Sequence, residues 1–303
     1  MSLSSEIISK LMNTGLKITF DEAMSKHTSF QIGGNADALI EPRDTEEIKK
    51  AILVCKELGI KYHIIGNGTN LLVSDKGIRG AVIKLRDKMA NVKVCSDTIY
   101  ADAGALLSVV AHVALENSLS GFECLGGIPG TVGGAVYMNA GAYGAQLSDI
   151  LIESSYIDYA GYTGVIDAKD HDFGYRKSVY TNSDKIITGA AFRLTSAPKE
   201  QIKEQMKVCA KKRRDKQPLA FPSAGSVFKR PEGYFAGALI EDAGLKGFSI
   251  GGACVSEKHA GFIINNGGAA AKDVLSLIEH IQKTVYEKNG VKLECEIKML
   301  GEF

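Results

Sequence analysis

The sequence predicts an α+β protein whose first half contains an α/β unit, and three observations carry that prediction. A helix, a strand and a glycine loop follow one another between Asp44 and Asn70. The middle of the chain reads mostly as strands. After Ser196-Ala197-Pro198 the composition shifts to a strongly charged helix, and the last hundred residues then mix loop, helix and strand.

Asp44 to Gly59 has Asp44 and Glu47 spaced as a capping box, Ile48, Ile52, Cys55 and Leu58 on one face, and Gly59 as a stop. Tyr62 to Ile65 predicts a buried strand running into Gly66-Asn67-Gly68-Thr69-Asn70, and Ala81 to Leu85 a further strand after the turn at Lys76-Gly77. Two β-like runs flank Ser96-Asp97 between Val92 and Ala101, and Leu106, Val109, Val110 and Val113 then recur at helical spacing. A second glycine cluster spans Gly126 to Gly134 and continues through Asn139 to Gly144. Leu151 to Asp158 and Lys185 to Leu194 read as strands. Glu200 to Gln217 predicts a helix with Ile202, Met206 and Cys209 inward and Pro218 ending it, and the domain boundary is placed just before it. A Ser-bearing loop from Ser223 to Lys229, a helix from Asp273 to Lys288 and a terminal strand from Lys292 to Leu300 complete the chain.

The 303 residues are 45% hydrophobic and 23% charged, an ordinary globular composition long enough for two or three packed units. Basic and acidic residues balance at 36 against 35, so no global field draws the protein to nucleic acid or an anionic membrane, and any anionic ligand must be held locally. The six cysteines show no C-x-x-C pair and no histidine at metal-ligand spacing, which predicts free thiols and no metal. Met1 to Lys10 lacks a charged leader followed by an apolar stretch, and no apolar run reaches spanning length, so a cytoplasmic protein is expected. Met1-Ser2-Leu3 is set aside as a candidate expression scar. The 33 glycines exceed the usual share and cluster, which means backbone approaching something closely.

Gly66-x-Gly68-x-x-Leu71 carries two of the three Rossmann glycines and is weak alone, since tight β-turns explain it equally. No glycine loop ends in Lys-Ser/Thr, so a P-loop is not expected. Two such loops in one half suit a dinucleotide pyrophosphate, which needs several converging N–H groups, although a close strand crossing also accounts for Gly126 to Gly134. Arg176 sits in Phe173-Gly174-Tyr175-Arg176-Lys177-Ser178, a setting that orients a guanidinium or simply leaves it at the surface. Ser226 has no neighbouring histidine and lies outside the hydrolase elbow pattern, so it reads as a turn serine. Glu296, alternating with Glu294 and Lys298, fits the wet face of an edge strand. From residues alone, the chain is an α/β protein binding a dinucleotide or other phosphate ligand.

Lys26 to Gly34, Gly66 to Val73, Gly126 to Gly144, Tyr175 to Ser178, Gly225 to Lys229, Lys258 to Phe262 and Glu296 to Glu302 together resemble the UDP-N-acetylenolpyruvoylglucosamine reductase family, over nearly the whole chain from Lys26 onward. The resemblance implies a PCMH-type FAD-binding half of two subdomains, 1–85 and 86–196, followed by an α+β substrate-binding domain, 197–303. It implies NADPH as reductant and a small sugar-nucleotide substrate, with no prediction of oligomeric state. By position, Gly66, Asn67, Gly68, Thr69, Asn70 and Leu71, with Gly126, Gly127, Ile128, Pro129, Gly130, Thr131, Gly133 and Gly134, would cradle the FAD pyrophosphate. Asn139, Ala140, Gly141, Tyr143 and Gly144 would lie along the rest of the cofactor. Gly66 to Asn70 contains no histidine of the kind that tethers flavin in some relatives of the fold, so FAD is expected to be non-covalent.

The family's chemistry adds hydride to the CH2 of an enolpyruvyl group and builds charge on the neighbouring carboxylate. The resemblance implies that Arg176 stabilises that charge, Ser226 donates the proton, Glu296 in its protonated form hydrogen-bonds the substrate carboxylate or polarises a neighbouring proton, and Lys229 assists. The short chain looks like the subtype without the inserted tyrosine loop, which leaves the grip on the UDP diphosphate unassigned. Arg230 stands where many relatives carry Asn. Two other expectations compete: a flavin-linked oxidase of the same fold, and a nucleotide-binding module without catalysis.

Overall fold

The computed structural model describes residues 3–303; Met1 and Ser2, part of the segment set aside above, lie outside the described residues. Seven α-helices run through the described residues: α1 (Ser5–Met12), α2 (Thr45–Glu57), α3 (Leu107–Glu116), α4 (Val132–Met138), α5 (Lys199–Lys216), α6 (Ala236–Asp242) and α7 (Ala271–Asn289). The chain divides into two compact units, one of residues 1–20, 38–67 and 80–213, the other of residues 21–37, 68–79 and 214–303. No described helix is long and apolar enough to cross a membrane.

The first unit is built around a five-stranded antiparallel sheet in the order Thr163–Asp167, Leu151–Ile157, Ile186–Arg193, Thr98–Asp102 and Val92–Cys95. Its central strand, Ile186–Arg193, is buried at all but its last residue, which is why the sequence there runs apolar without alternation. A second sheet has the order Ile18–Ala23, Asn35–Ile40, Ile78–Lys84 and Tyr62–Ile65, the last two parallel. The crossover that joins these parallel neighbours is residues 66–77, which hold the glycine loop and the strand Leu71–Val73 rather than a helix, while α2 precedes the pair, as the helix-then-strand pattern predicts.

α2 shows how the local code is executed. Asp44 accepts a hydrogen bond from the Glu47 amide at 2.8 Å, so the N-cap forms as predicted. Glu47 does not complete the box: its carboxylate takes the Arg43 amide at 2.8 Å and pairs with the Arg43 guanidinium. In α3 the buried stripe is Leu107, Val110, Ala111, Ala114 and Leu115, while Val109 points outward and Leu106 is the N-cap. Alanines at 111 and 114 fill the inner face, so a count of large apolar residues alone misplaces it.

The second unit carries a four-stranded antiparallel sheet in the order Ser223–Ser226, Phe262–Asn265, Ala253–Val255 and Ser249–Ile250. On α7, Val274, Leu277, Ile278, Ile281 and Val285 are buried, the face predicted. Its core also takes Phe30, Ile32 and Leu72 from distant parts of the sequence. The predicted terminal strand Lys292 to Leu300 is reduced to Lys298–Leu300, paired parallel with Leu71–Val73. The residues before it make only an isolated bridge, Phe228 to Cys295.

The cysteines correct a second expectation. Cys124 and Cys209, 85 residues apart in sequence, have Cα atoms 5.3 Å apart and are joined as a disulfide; Cys55, Cys95, Cys254 and Cys295 are free. Spacing in sequence says nothing about a pair that the packing of α5 brings together.

Candidate active site

In the first unit the two glycine clusters meet. Gly66 ends the strand Tyr62–Ile65, and a Cβ there would lie 2.3 Å from the Thr131 hydroxyl, so only glycine lets the loops close on each other. Asn67 fastens the contact: its side-chain amide donates to the Pro129 carbonyl at 2.6 Å, and its oxygen accepts from the Arg86 guanidinium. The loop leads into the strand Leu71–Val73 rather than a helix, so the partial Rossmann pattern does not have Rossmann geometry.

Part of the second cluster serves packing. The Val132 and Gly133 amides donate to the Ala105 and Ala103 carbonyls at 2.8 Å each, and Thr131 caps α4, a helix that the glycine content hid from sequence reading. Asn67 and Gly130 keep backbone N–H groups with no acceptor among the described residues of this unit. Such donors suit phosphate oxygens, and together with the side-chain-free approach at Gly127 and Gly130 they make these loops a fit for a dinucleotide pyrophosphate.

Arg176 is held by a turn wired to α4. The Gly174 and Lys177 backbones bond each other at 3.1 and 3.3 Å, leaving Tyr175 and Arg176 as the central pair. Arg176 has φ +56, a left-handed conformation that a residue with a Cβ adopts at a cost of about 1–2 kcal/mol. Its guanidinium lies 5.1 Å from the Tyr175 ring centroid. Asn139, itself left-handed at φ +42 and buried, donates to the Gly174 carbonyl at 3.3 Å, and Ser178 donates to the Tyr137 carbonyl at 2.9 Å. Asn139 therefore ties the Arg176 turn to the end of α4.

Behind this turn lies a buried polar chain that sequence reading missed. His171 Nδ1 is 2.8 Å from the Asp167 carbonyl, which only accepts, so that nitrogen carries the proton. Nε2 then accepts from Ser154 at 2.7 Å, and the Ser154 oxygen accepts from the Tyr180 hydroxyl at 2.6 Å. The Val179 amide donates to the His171 carbonyl at 2.6 Å, closing the neck of the loop that carries Arg176. Burial holds the His171 pKa below its ordinary value and pushes the Tyr180 hydroxyl up to about 12, so both stay neutral.

The second unit brings together the other sequence-predicted residues. Ser226 ends its strand after Gly225, at φ +81, where the register slips between Ser223 and Ser226. Such a bulge re-aims the side chain that follows it. The Ser226 hydroxyl has no hydrogen-bond partner among the described residues. Next to it, the Glu296 amide donates to the Val227 carbonyl at 2.7 Å, and the Glu296 carbonyl accepts from the Asn70 side chain at 3.2 Å. Asn70, predicted to serve a cofactor, is thus also what fixes the Glu296 backbone. Gly68, at φ +66, has no room for a side chain, since a Cβ would lie 2.0 Å from the His27 carbonyl. Lys229 points to Glu294, 3.1 Å away and exposed. Back in the first unit, Tyr143 and Gly144 form the two-residue turn between Ala142 and Ala145, both with positive φ.

Comparison with known proteins bears on both units. Residues 36–164 match the family model described as FAD binding domain, and residues 217–300 match UDP-N-acetylenolpyruvoylglucosamine reductase, C-terminal domain. The chain is 51% identical over 286 residues to UDP-N-acetylenolpyruvoylglucosamine reductase of Caldanaerobacter subterraneus subsp. tengcongensis, covering 94% of each. It is 49% identical over 285 residues to the protein of that name from Clostridium botulinum, covering 94% of this chain and 93% of the relative. Among solved structures, UDP-N-acetylenolpyruvylglucosamine reductase from Thermus caldophilus aligns with a TM-score of 0.81 at 34% identity, covering 94% of this chain and 99% of that one.

Proposed function

The chain belongs to the UDP-N-acetylenolpyruvoylglucosamine reductase family, and from that premise we propose how its residues divide the work of reducing UDP-N-acetylenolpyruvoylglucosamine to UDP-N-acetylmuramate. The reaction is a step of peptidoglycan synthesis, with FAD as cofactor and NADPH as reductant. Bound FAD supplies hydride transfer, accepting from NADPH and delivering to the enolpyruvyl CH2. Gly66 to Leu71 and Gly126 to Gly134 hold it without a covalent bond, and Asn139, Ala140, Gly141, Tyr143 and Gly144 line its remaining length.

Arg176 meets the negative charge that grows on the substrate carboxylate. Its turn is fixed at both ends to α4, so the guanidinium is oriented before charge develops, which is where electrostatic catalysis gains most. Ser226 gives its hydroxyl proton to the carbon beside the carboxylate; a neutral hydroxyl suffices because the carbanion formed there is strongly basic. Glu296 polarises a proton beside the substrate carboxylate, and Lys229 assists. The observation that carries this division is the Ser226 hydroxyl, unpartnered after a glycine bulge and adjacent to the doubly pinned Glu296 backbone. Residues 1–85 and 86–196 act as FAD-binding subdomains and 197–303 as the substrate-binding part, in the cytoplasm.

An anaerobic absorbance titration tests this reading. Flavin bands that bleach with NADPH and return on adding UDP-N-acetylenolpyruvoylglucosamine are the expected result; bleaching reversed only by oxygen points to an oxidase, and no flavin after reconstitution with FAD overturns the reading. The Ser226→Ala variant keeps the NADPH half-reaction and loses about 10²–10⁴-fold in the second, the usual range for a positioned proton donor.

A further inference from the structure

The turn that carries Arg176 is the middle of a longer loop, and both ends of that loop come to one side chain. His171 opens the loop and Tyr180 closes it; His171 Nε2 lies 2.7 Å and the Tyr180 hydroxyl 2.6 Å from the Ser154 hydroxyl. All three side chains are buried. Ser154 stands within the strand Leu151–Ile157, with Ile166 paired to it on one side and Ala190 on the other, so its place is set by the five-stranded sheet and not by the loop. A side chain mounted on a strand between two neighbours is a more precise anchor than one mounted on a loop.

The protons of this chain have one arrangement. The Asp167 carbonyl, 2.8 Å from His171 Nδ1, fixes the ring proton there, so Ser154 donates to Nε2 and Tyr180 donates to Ser154. Without the Ser154 hydroxyl, Nε2 and the Tyr180 hydroxyl are both buried with no partner, a costly state that the loop ends relieve by shifting. A shift of His171 does not stop at its own ring, which stacks on Phe173 at 4.8 Å, next to the Gly174 that closes the Arg176 turn with Lys177. Asn139 and Ser178 fix where that turn meets α4, and Ser154 fixes where the loop begins and ends. Arg176 needs such support, because a residue in left-handed geometry relaxes unless its surroundings over-determine it.

We propose that Ser154 is a positioning residue for Arg176, stapling the two ends of its loop to the central sheet through His171 and Tyr180. This rests on the charge-stabilising role given to Arg176 in the reductase reading. Ser154 touches neither cofactor nor substrate in that role and acts on the reaction through the guanidinium alone.

Rapid-mixing absorbance of the flavin, without oxygen, reads the two half-reactions separately in holoprotein of wild type, Ser154→Ala and Tyr180→Phe, the last keeping the ring and losing only the hydroxyl. In Ser154→Ala, transfer to UDP-N-acetylenolpyruvoylglucosamine is expected to slow about 10–10²-fold, the loss that follows a small misplacement of a reacting group, while flavin reduction by NADPH keeps its rate. Tyr180→Phe is expected to act in the same direction by less, and it carries the comparison if Ser154→Ala does not hold flavin. In an Arg176→Ala background neither substitution should slow the second half-reaction further, because residues that act as a unit are not additive. Unchanged rates, equal slowing of both half-reactions, or the same loss with Arg176 present and absent overturns the proposal and leaves the role of Arg176 standing. An Arg176→Ala protein with a wild-type second half-reaction overturns both.

Discussion

At the scale of single residues, Arg176 combines backbone strain with the role proposed for it. Its φ of +56 is a conformation suited to glycine, so Arg176→Gly relieves about 1–2 kcal/mol of local strain. Against that stand the lost ring contact, about 0.5–1 kcal/mol at an exposed site, and the entropy of an added glycine, about 0.5–1 kcal/mol. Turnover of Arg176→Gly is therefore expected to fall about 10²–10³-fold, with the relieved strain offsetting part of what the melt loses in contacts. A loss of several kcal/mol in the melt would assign Arg176 a structural role instead. His171 makes a second prediction through pH. Burial keeps its folded pKa below the ordinary 6.5. Between that depressed value and 6.5 the unfolded chain binds a proton that the folded chain refuses, so stability contributed by this group is present above 6.5 and is lost as pH falls below it. Denaturant melts from pH 8 to 5 should show this slope, and a His171→Phe variant, which keeps the stack on Phe173 but cannot titrate, should flatten it. Arg176, Ser226 and Glu296 enter the proposed site only through resemblance, because each alone reads as a turn or surface residue. His171, Ser154 and Tyr180 were not legible at all: their partners lie 17 and 26 residues away, with no local pattern joining them.

At the scale of elements, legibility follows length and periodicity. α2 and α7 were read nearly to their ends because each carries several turns of one apolar face, and α5 because its charged run ends at Pro218. α4 is seven residues with two glycines, and Ser249–Ile250 is a two-residue strand; neither is long enough to show a period. The terminal strand was overestimated because alternating Glu294, Glu296 and Lys298 imitate a ladder that forms only from Lys298. The link between Cys124 and Cys209 joins a residue two positions before the second glycine cluster to α5. Closing a loop of 85 residues stabilises by up to roughly 4–5 kcal/mol in the chain-entropy model. Protein purified without reductant should therefore release four titratable thiols on denaturation and six after reduction, and reduction should lower the melting temperature. Six thiols before reduction would show the pair to be open.

At the scale of the whole molecule, each compact unit is assembled from separate stretches of the sequence. The composition break at Ser196-Ala197-Pro198 is visible in sequence, yet the second compact unit also takes residues 21–37 and 68–79, and α5 runs through the hand-over between Arg213 and Arg214. No composition shift marks these two short segments, because their role is set by partners two hundred residues away. Within the second unit, Phe30, Ile32 and Leu72 are almost wholly removed from solvent. The strand Leu71–Val73 gives Lys298–Leu300 its hydrogen-bonding partner, and the Asn265 side chain donates to the Phe30 carbonyl at 3.1 Å. Burying three large apolar side chains contributes roughly 5–9 kcal/mol, comparable with the 5–15 kcal/mol that holds a typical domain together. A fragment of residues 197–303 is therefore expected to lack a cooperative melt, although it contains the whole stretch matched as the reductase C-terminal domain. Leu72→Ala in the full chain, a cavity substitution expected to cost about 2–5 kcal/mol, should act in the same direction on a smaller scale. Calorimetry on the fragment decides between the alternatives: a sharp transition would show that 21–37 and 68–79 are dispensable, and a featureless trace that the second unit folds only once the chain has supplied all three of its pieces.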